Sequence, residues 1–124
     1  FGRALAHDPN FVQAAVNLAD AHRALGDEVR AEQVLRSALA RNPGAAAAHH
    51  ALGLSLVRQA RRTEAVAALR KARELAPEDA RFAYVYAVAL HDTGDKAGSI
   101  DVLRAALQAH PEDRNLREAL AAYQ

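Results

Sequence analysis

The residues most able to do chemistry are six histidines, His7, His22, His49, His50, His91 and His110. A helical metal face needs two ligands three or four residues apart, and no pair of these has that spacing. His49 and His50 are adjacent and diverge around a helix, so His49 is expected to pack inside and His50 to face solvent. The run Gly53-Leu54-Ser55-Leu56-Val57 begins like a nucleophile elbow. It lacks the second glycine and falls within a helical pattern. Two acid pairs, Glu78-Asp79 and Glu112-Asp113, each follow a proline. Carboxylates in a first helical turn meet the positive end of the helix dipole, so these pairs are expected to be structural rather than general acids or bases. With no cysteine there is no thiolate site or disulfide. No glycine-rich phosphate loop occurs, and the expectation is no catalytic residue, no metal and no cofactor.

What positions these residues is a repeat. The only four prolines, Pro9, Pro43, Pro77 and Pro111, follow one another at a single constant interval. A fixed period of this size marks an array of supersecondary units. Columns behind the prolines agree: Ala31, Ala65 and Ser99; then Phe1, Leu35, Leu69 and Leu103; then Ala4, Ala38, Ala72 and Ala106. Steps of four and three place them on one helical stripe, the one to be buried. A second stripe lies upstream in each unit: Ala15, Leu18, Ala19 and His22; His49, Leu52, Gly53 and Leu56; Ala83, Tyr86, Ala87 and Leu90. Gly26-Asp27 and Gly94-Asp95 fall between the two stripes, where glycine would close a helix in the left-handed conformation. The middle unit has Ala60-Arg61 there, which leaves its turn either strained or closed in another way. Proline tolerates a first helical turn. The pattern predicts a helix end at 1–7 and helices near 10–25, 28–41, 45–59, 62–75, 79–93, 96–109 and 112–123.

Bulk composition narrows the function classes. Hydrophobic residues make up 51% of the 124 and aromatics only 5%, with alanine about a quarter of the chain. Such a core packs small side chains between close helices. Sixteen basic residues against fifteen acidic give +1. Acids are interspersed with the arginines, so there is no concentrated basic surface of the kind nucleic acid requires. No apolar run approaches the length of a membrane span. Arginine outnumbers lysine, of which there are only Lys71 and Lys96; together with the alanine content this usage suggests a bacterial source, and the absence of cysteine does not decide between cytoplasm and periplasm. The start, Phe1-Gly2-Arg3-Ala4-Leu5, has neither methionine nor the order of a signal peptide. It is expected to be a cut from a longer protein.

These columns resemble the tetratricopeptide repeat, a helix pair of about 34 residues. Leu18-Ala19, Gly26, Ala31, Leu35, Ala38 and Pro43 fill its pattern in one unit; Leu52-Gly53, Ala65, Leu69, Ala72 and Pro77 in the next; Tyr86-Ala87, Gly94, Leu103, Ala106 and Pro111 in the third. Departures are Ala15, His49 and Ala83 at the usual tryptophan, His22, Leu56 and Leu90 at the usual tyrosine, Ser99 at an alanine and Ala60 at the turn. The resemblance spans the chain as one array: 1–11 the end of a preceding repeat, 12–45, 46–79 and 80–113 complete repeats, and 114–124 a first helix or cap. It implies an all-α fold, a right-handed superhelix of stacked antiparallel helix pairs, whose first helices line a concave groove.

Carrying the family's groove positions over gives Gln13, Val16, Asn17, Asp20 and Arg23, then His50, Leu54, Val57 and Arg58, then Arg81, Tyr84, Val88, His91 and Asp92. Such a mixture suits a peptide or protein segment, with Arg58 or Arg81 meeting carboxylates and Tyr84 as an aromatic anchor. The expected function is a non-catalytic interaction scaffold. Heat-shock co-chaperones hold a C-terminal carboxylate with a Lys, Asn, Asn, Lys, Arg set; here Val16, Asp20, Ala51, Arg81 and Val85 stand at those positions, so only Arg81 agrees and a chaperone tail is not expected. The alternative is a repeat arm of a larger bacterial protein, such as a glycosyltransferase or a multihaem cytochrome. A third possibility is self-association through the incomplete terminal units.

Overall fold

A computed structural model describes residues 9–124; the expected helix end at 1–7 lies outside them. Along the described residues seven helices follow in order: α1 (Pro9–Ala24), α2 (Glu28–Arg41), α3 (Ala46–Arg58), α4 (Arg62–Leu75), α5 (Ala80–Asp92), α6 (Lys96–Ala109) and α7 (Arg114–Tyr123). There is no strand among the described residues. Every boundary falls within two residues of the one read from the repeat. Alanine, leucine and arginine fill these segments, all good helix formers, and no glycine or proline breaks a stripe except Gly53 and Gly98.

Pro9 opens α1 as expected, but the other three prolines act differently. Pro43, Pro77 and Pro111 precede their helices instead of entering the first turn. In each case the amide three residues on returns to the carbonyl before the proline: Ala45 to Asn42 (3.0 Å), Asp79 to Ala76 (3.0 Å) and Asp113 to His110 (3.1 Å). Proline therefore holds the second position of a β-turn, where its fixed φ is already correct. The acids are corrected with it. Asp79 and Asp113 are N-caps, each carboxylate accepting from an amide three residues ahead, Phe82 and Leu116, at 3.0 Å. Both acids are structural, by capping rather than by dipole alone.

The turn inside each helix pair has one geometry in all three units. The amides of Asp27, Arg61 and Asp95 bond back to the carbonyls of His22, Leu56 and Leu90 at 2.8, 3.0 and 2.9 Å. This is the six-to-one bond of a Schellman closure, which needs a left-handed residue just before the donor. Gly26 (φ 81°) and Gly94 (φ 99°) supply it freely, whereas Ala60 adopts φ 60° with a Cβ. The middle turn is thus kept and strained. Ala60→Gly is expected to stabilise the chain by about 0.5–1 kcal/mol, the left-handed penalty less the extra freedom glycine gives the unfolded chain. Urea unfolding monitored by circular dichroism checks this; an unchanged or lower midpoint would contradict it.

The chain divides into two compact units, one ending at Leu75 and the other spanning Ala76–Gln124. In the first, α1 packs on α2 and α3, α2 on α3, and α3 on α4. Its core joins Ala19, Ala31, Leu35, Leu52, Leu56, Ala65 and Ala68. In the second, α5 packs on α6 and α7, and α6 on α7, around Ala83, Ala87, Leu103, Ala106, Leu116 and Ala119. The stripes read from the period are these cores, with Leu35, Leu69 and Leu103 at most 1% exposed. Burial of each such leucine contributes about 1.5–3 kcal/mol.

Leu18 departs furthest from its stripe, in which His22 and, one period on, His49 are half-buried. It was expected in the buried stripe and is 49% exposed. Its column mate Leu52 shares a core with Leu35 of α2, but no described helix precedes α1 to cover Leu18. Leu18 instead floors a cleft of about 410 Å³ between α1 and α2, with Phe11, Val34 and Ala38 beside it. The Arg41 guanidinium lies 4.4 Å over the Phe11 ring at its edge.

Candidate functional site

The predicted groove residues lie on first helices, α1 and α3 in the first unit and α5 in the second. On α1, Gln13, Asn17, Asp20 and Arg23 are exposed and Val16 is half-buried. Gln13 donates from Nε2 to Oδ1 of Asn17 at 2.9 Å, so these two amides are already joined along the helix. On α3, Val57 and Arg58 are exposed and Leu54 is half-buried.

His50 contradicts its expectation. It is 7% exposed, while His49 is the half-buried one and donates from Nε2 to the Pro43 carbonyl at 2.8 Å. The cause is the position of α3, which touches α1, α2 and α4. Its buried residues Ala48, His50, Leu52, Gly53, Ser55 and Leu56 span roughly 220° of the helix at 100° per residue. A helix enclosed on so many sides buries a position that a helix with one partner would leave in water. His50 is therefore part of the packing and not a groove contact.

Arg58 is exposed enough to reach a ligand, but it is engaged. Its Nε lies 2.6 Å from Oε1 of Glu28 and its second nitrogen donates to Oε2 at 3.3 Å. Ser55, fully buried, donates to the same carboxylate at 2.7 Å. Arg58 holds the Glu28 carboxyl below its usual range, against the opposing effect of burial. Beside it, burial pushes Glu32 upward, yet bonds from Arg36, Arg61 and Gln59 outweigh that and leave its pKa lowered. Arg61 also meets Glu64. Together these side chains tie α2 to α3 and α4, and sequence reading missed the tie: Glu28 and Arg58 are far apart along the chain, and no column of the repeat pairs them.

The second unit presents a freer face. Arg81 and Asp92 on α5 are exposed, with Tyr84, Val88 and His91 half-buried between and beside them. The His91 ring stacks on Tyr123 of α7, centroids 3.8 Å apart and planes within 5°. Nδ1 of His91 lies 3.7 Å from the Asp92 carboxylate. Burial, then the charge of Asp92 and the nearby Tyr84, push the Tyr123 phenol above its ordinary value. The repeat does not pair Tyr123 with His91, because their spacing is two short of a full period and column stacking leaves them apart.

Clefts among the described residues of the first unit include the one at Leu18 and a shallow one of about 770 Å³ lined by Arg36, Leu39, His49 and Lys71 among others. Neither contains a predicted groove residue. Among the described residues no three histidines, aspartates or glutamates cluster as metal ligands, and no helix is long and apolar enough to cross a membrane.

Structures of known proteins share this arrangement. An O-GlcNAc transferase mutant from Thermobaculum terrenum matches with a TM-score of 0.77 and 25% identity over 94% of this chain, which spans only 22% of that protein. A MamA structure from Desulfovibrio magneticus RS-1 matches at 0.77 and 24%, over 94% of this chain and 66% of that one. The second TPR domain of human RPAP3, in complex with an HSP70 peptide, matches at 0.80 and 12%, over 90% and 93%. No curated protein matches. Family models described as tetratricopeptide repeat match residues 1–54 and 50–114. The second alone covers more than half of the sequence, and the all-α helix pairs are those of that fold: the chain belongs to the tetratricopeptide repeat family.

Proposed function

We propose that this chain is a non-catalytic scaffold that binds a peptide or protein segment on the exposed faces of its first helices. Repeats of this family are interaction modules, and the observation that carries the finer reading is the α5 face. There Arg81, Tyr84 and Val88 combine a cation, an aromatic ring and an aliphatic group, with no ion pair among the described residues closing them off. Similar folds in RPAP3 are bound to HSP90 and HSP70 peptides. The residues at the carboxylate-clamp positions here, Val16, Asp20, Ala51, Arg81 and Val85, argue for a different class of ligand.

Capture of partners from the source cells with wild type and with Arg81→Glu/Tyr84→Ala tests this. Partners held by wild type are expected to be lost from the variant, and identical lists would remove the face from consideration. Arg58→Glu, otherwise an obvious choice, would set two carboxylates against each other at Glu28 and confuse folding with binding.

A second reading is that the array is the recruiting arm of a larger protein, with self-association as one use of it. It is favoured by the similarity to a 22% portion of an O-GlcNAc transferase. A parent gene made only of repeats would rule it out.

A further inference from the structure

Arg81 and Asp92 stand eleven residues apart on α5, and neither has a fixed opposite charge beside it among the described residues. The contrast is with the first unit, where Glu28, Glu32 and Glu64 are all held by arginines. Eleven residues rise about 16 Å and turn three times with roughly 20° left over, so the two charges share one stripe of the helix. Tyr84 and Val88 fall on that stripe between them. The stacked rings of His91 and Tyr123 flank its C-terminal end.

The polarity of the helix reinforces the arrangement. Arg81 lies in the first turn, where the helix dipole is positive, and Asp92 is the last residue, where it is negative. One end therefore attracts an anion and the other a cation. An extended chain advances about 3.3 Å per residue, so about 16 Å corresponds to roughly five residues.

We propose that the α5–α7 face reads a short extended peptide segment that carries an acidic and a basic residue about five positions apart, with apolar side chains between them. The acidic group meets the forked guanidinium of Arg81. The basic group meets Asp92, whose carboxylate is 64% exposed, and the apolar side chains lie on Tyr84, Val88 and Tyr123. Discrimination comes from charge order along the stripe, because a segment with two like charges leaves one end repelled. The inference rests on the proposed peptide-binding function and specifies its ligand.

The probes are three blocked hexapeptides with the common centre Ala-Leu-Ala-Leu and the terminal pairs Glu/Arg, Glu/Glu and Arg/Arg, titrated into the full chain and followed by NMR at Tyr84, Val88 and Tyr123. The Glu/Arg peptide is expected to bind three- to fivefold more tightly than either like-charged peptide, the range of an exposed ion pair. Asp92→Arg should move the preference to Glu/Glu, and Arg81→Glu should move it to Arg/Arg. Both sites are on the surface, and a gain of binding by the swapped peptide is not produced by misfolding. Equal binding of all three peptides, or preferences that the substitutions leave alone, would overturn the charge reading while leaving a peptide face in place. No shift with any peptide would overturn both.

Discussion

Gly53→Ala is expected to destabilise the first unit by about 2 kcal/mol through overpacking, although alanine is ordinarily the better helix former. A Cβ built on Gly53 falls 2.5 Å from Cδ2 and 2.6 Å from Cγ of Leu69, far inside contact distance. Leu69 is fully buried on α4, so its side chain has no empty space to enter. Either α3 and α4 separate or Leu69 leaves its rotamer, and overpacking of this kind costs about 1–3 kcal/mol. Helix propensity returns up to about 1 kcal/mol, which is the smaller effect. One period away, Ala19 and Ala87 occupy the same column opposite Leu35 and Leu103. The alanine is thus compatible with the repeat in general but not with the closer approach of this pair. Thermal unfolding measures the loss, and the double variant Gly53→Ala/Leu69→Ala identifies its origin. The cost of the glycine change should largely vanish once Leu69 is truncated. Additive costs would show that the clash is not the cause.

How much of this was legible beforehand follows from what a period can encode. Residues that face their own repeat recur in columns: Ala31, Leu35 and Ala38 are each 1% exposed, as the stripe required. Helix limits are similarly local, set by Asp27, Asp95, Asp79 and Asp113 as caps and by Gly26 and Gly94 as closures. What the period hides is any contact specific to one unit. Nothing in a column says that Glu28 takes Arg58, or that α3 is enclosed widely enough to bury His50. Tyr123 escaped for the same reason, because its partner His91 belongs to another column. Candidate binding residues are the most exposed to this blindness. They come position by position from a pattern, and a pattern carries direction along a helix without carrying the neighbour that occupies a charge. The α5 positions kept their availability because no arginine or glutamate from α6 or α7 reaches Arg81 or Asp92, among the described residues.

Ser99→Ala is expected to stabilise the second unit by about 1 kcal/mol, while Ser55→Ala destabilises the first by about 1 kcal/mol. Both serines are completely buried within helices, so composition and exposure treat them alike. Their hydroxyls differ. Ser55 donates to Glu28 at 2.7 Å and accepts from Gln59 at 3.2 Å, and removing it leaves a buried face of a charged carboxylate with one donor fewer. The Ser99 hydroxyl has no partner among the described residues. Folding strips it of water without replacement, a loss of about 1–3 kcal/mol for a polar group of this kind. Alanine removes that loss, is the stronger helix former, and already fills the column at Ala31 and Ala65, each 1% exposed. Chemical denaturation of the two single variants decides the matter. A gain at position 99 together with a loss at position 55 would tie the sign to hydrogen-bond satisfaction. A loss at both positions would mean that Ser99 has a bonded partner, and a gain at both would mean that helix propensity outweighs the bond to Glu28.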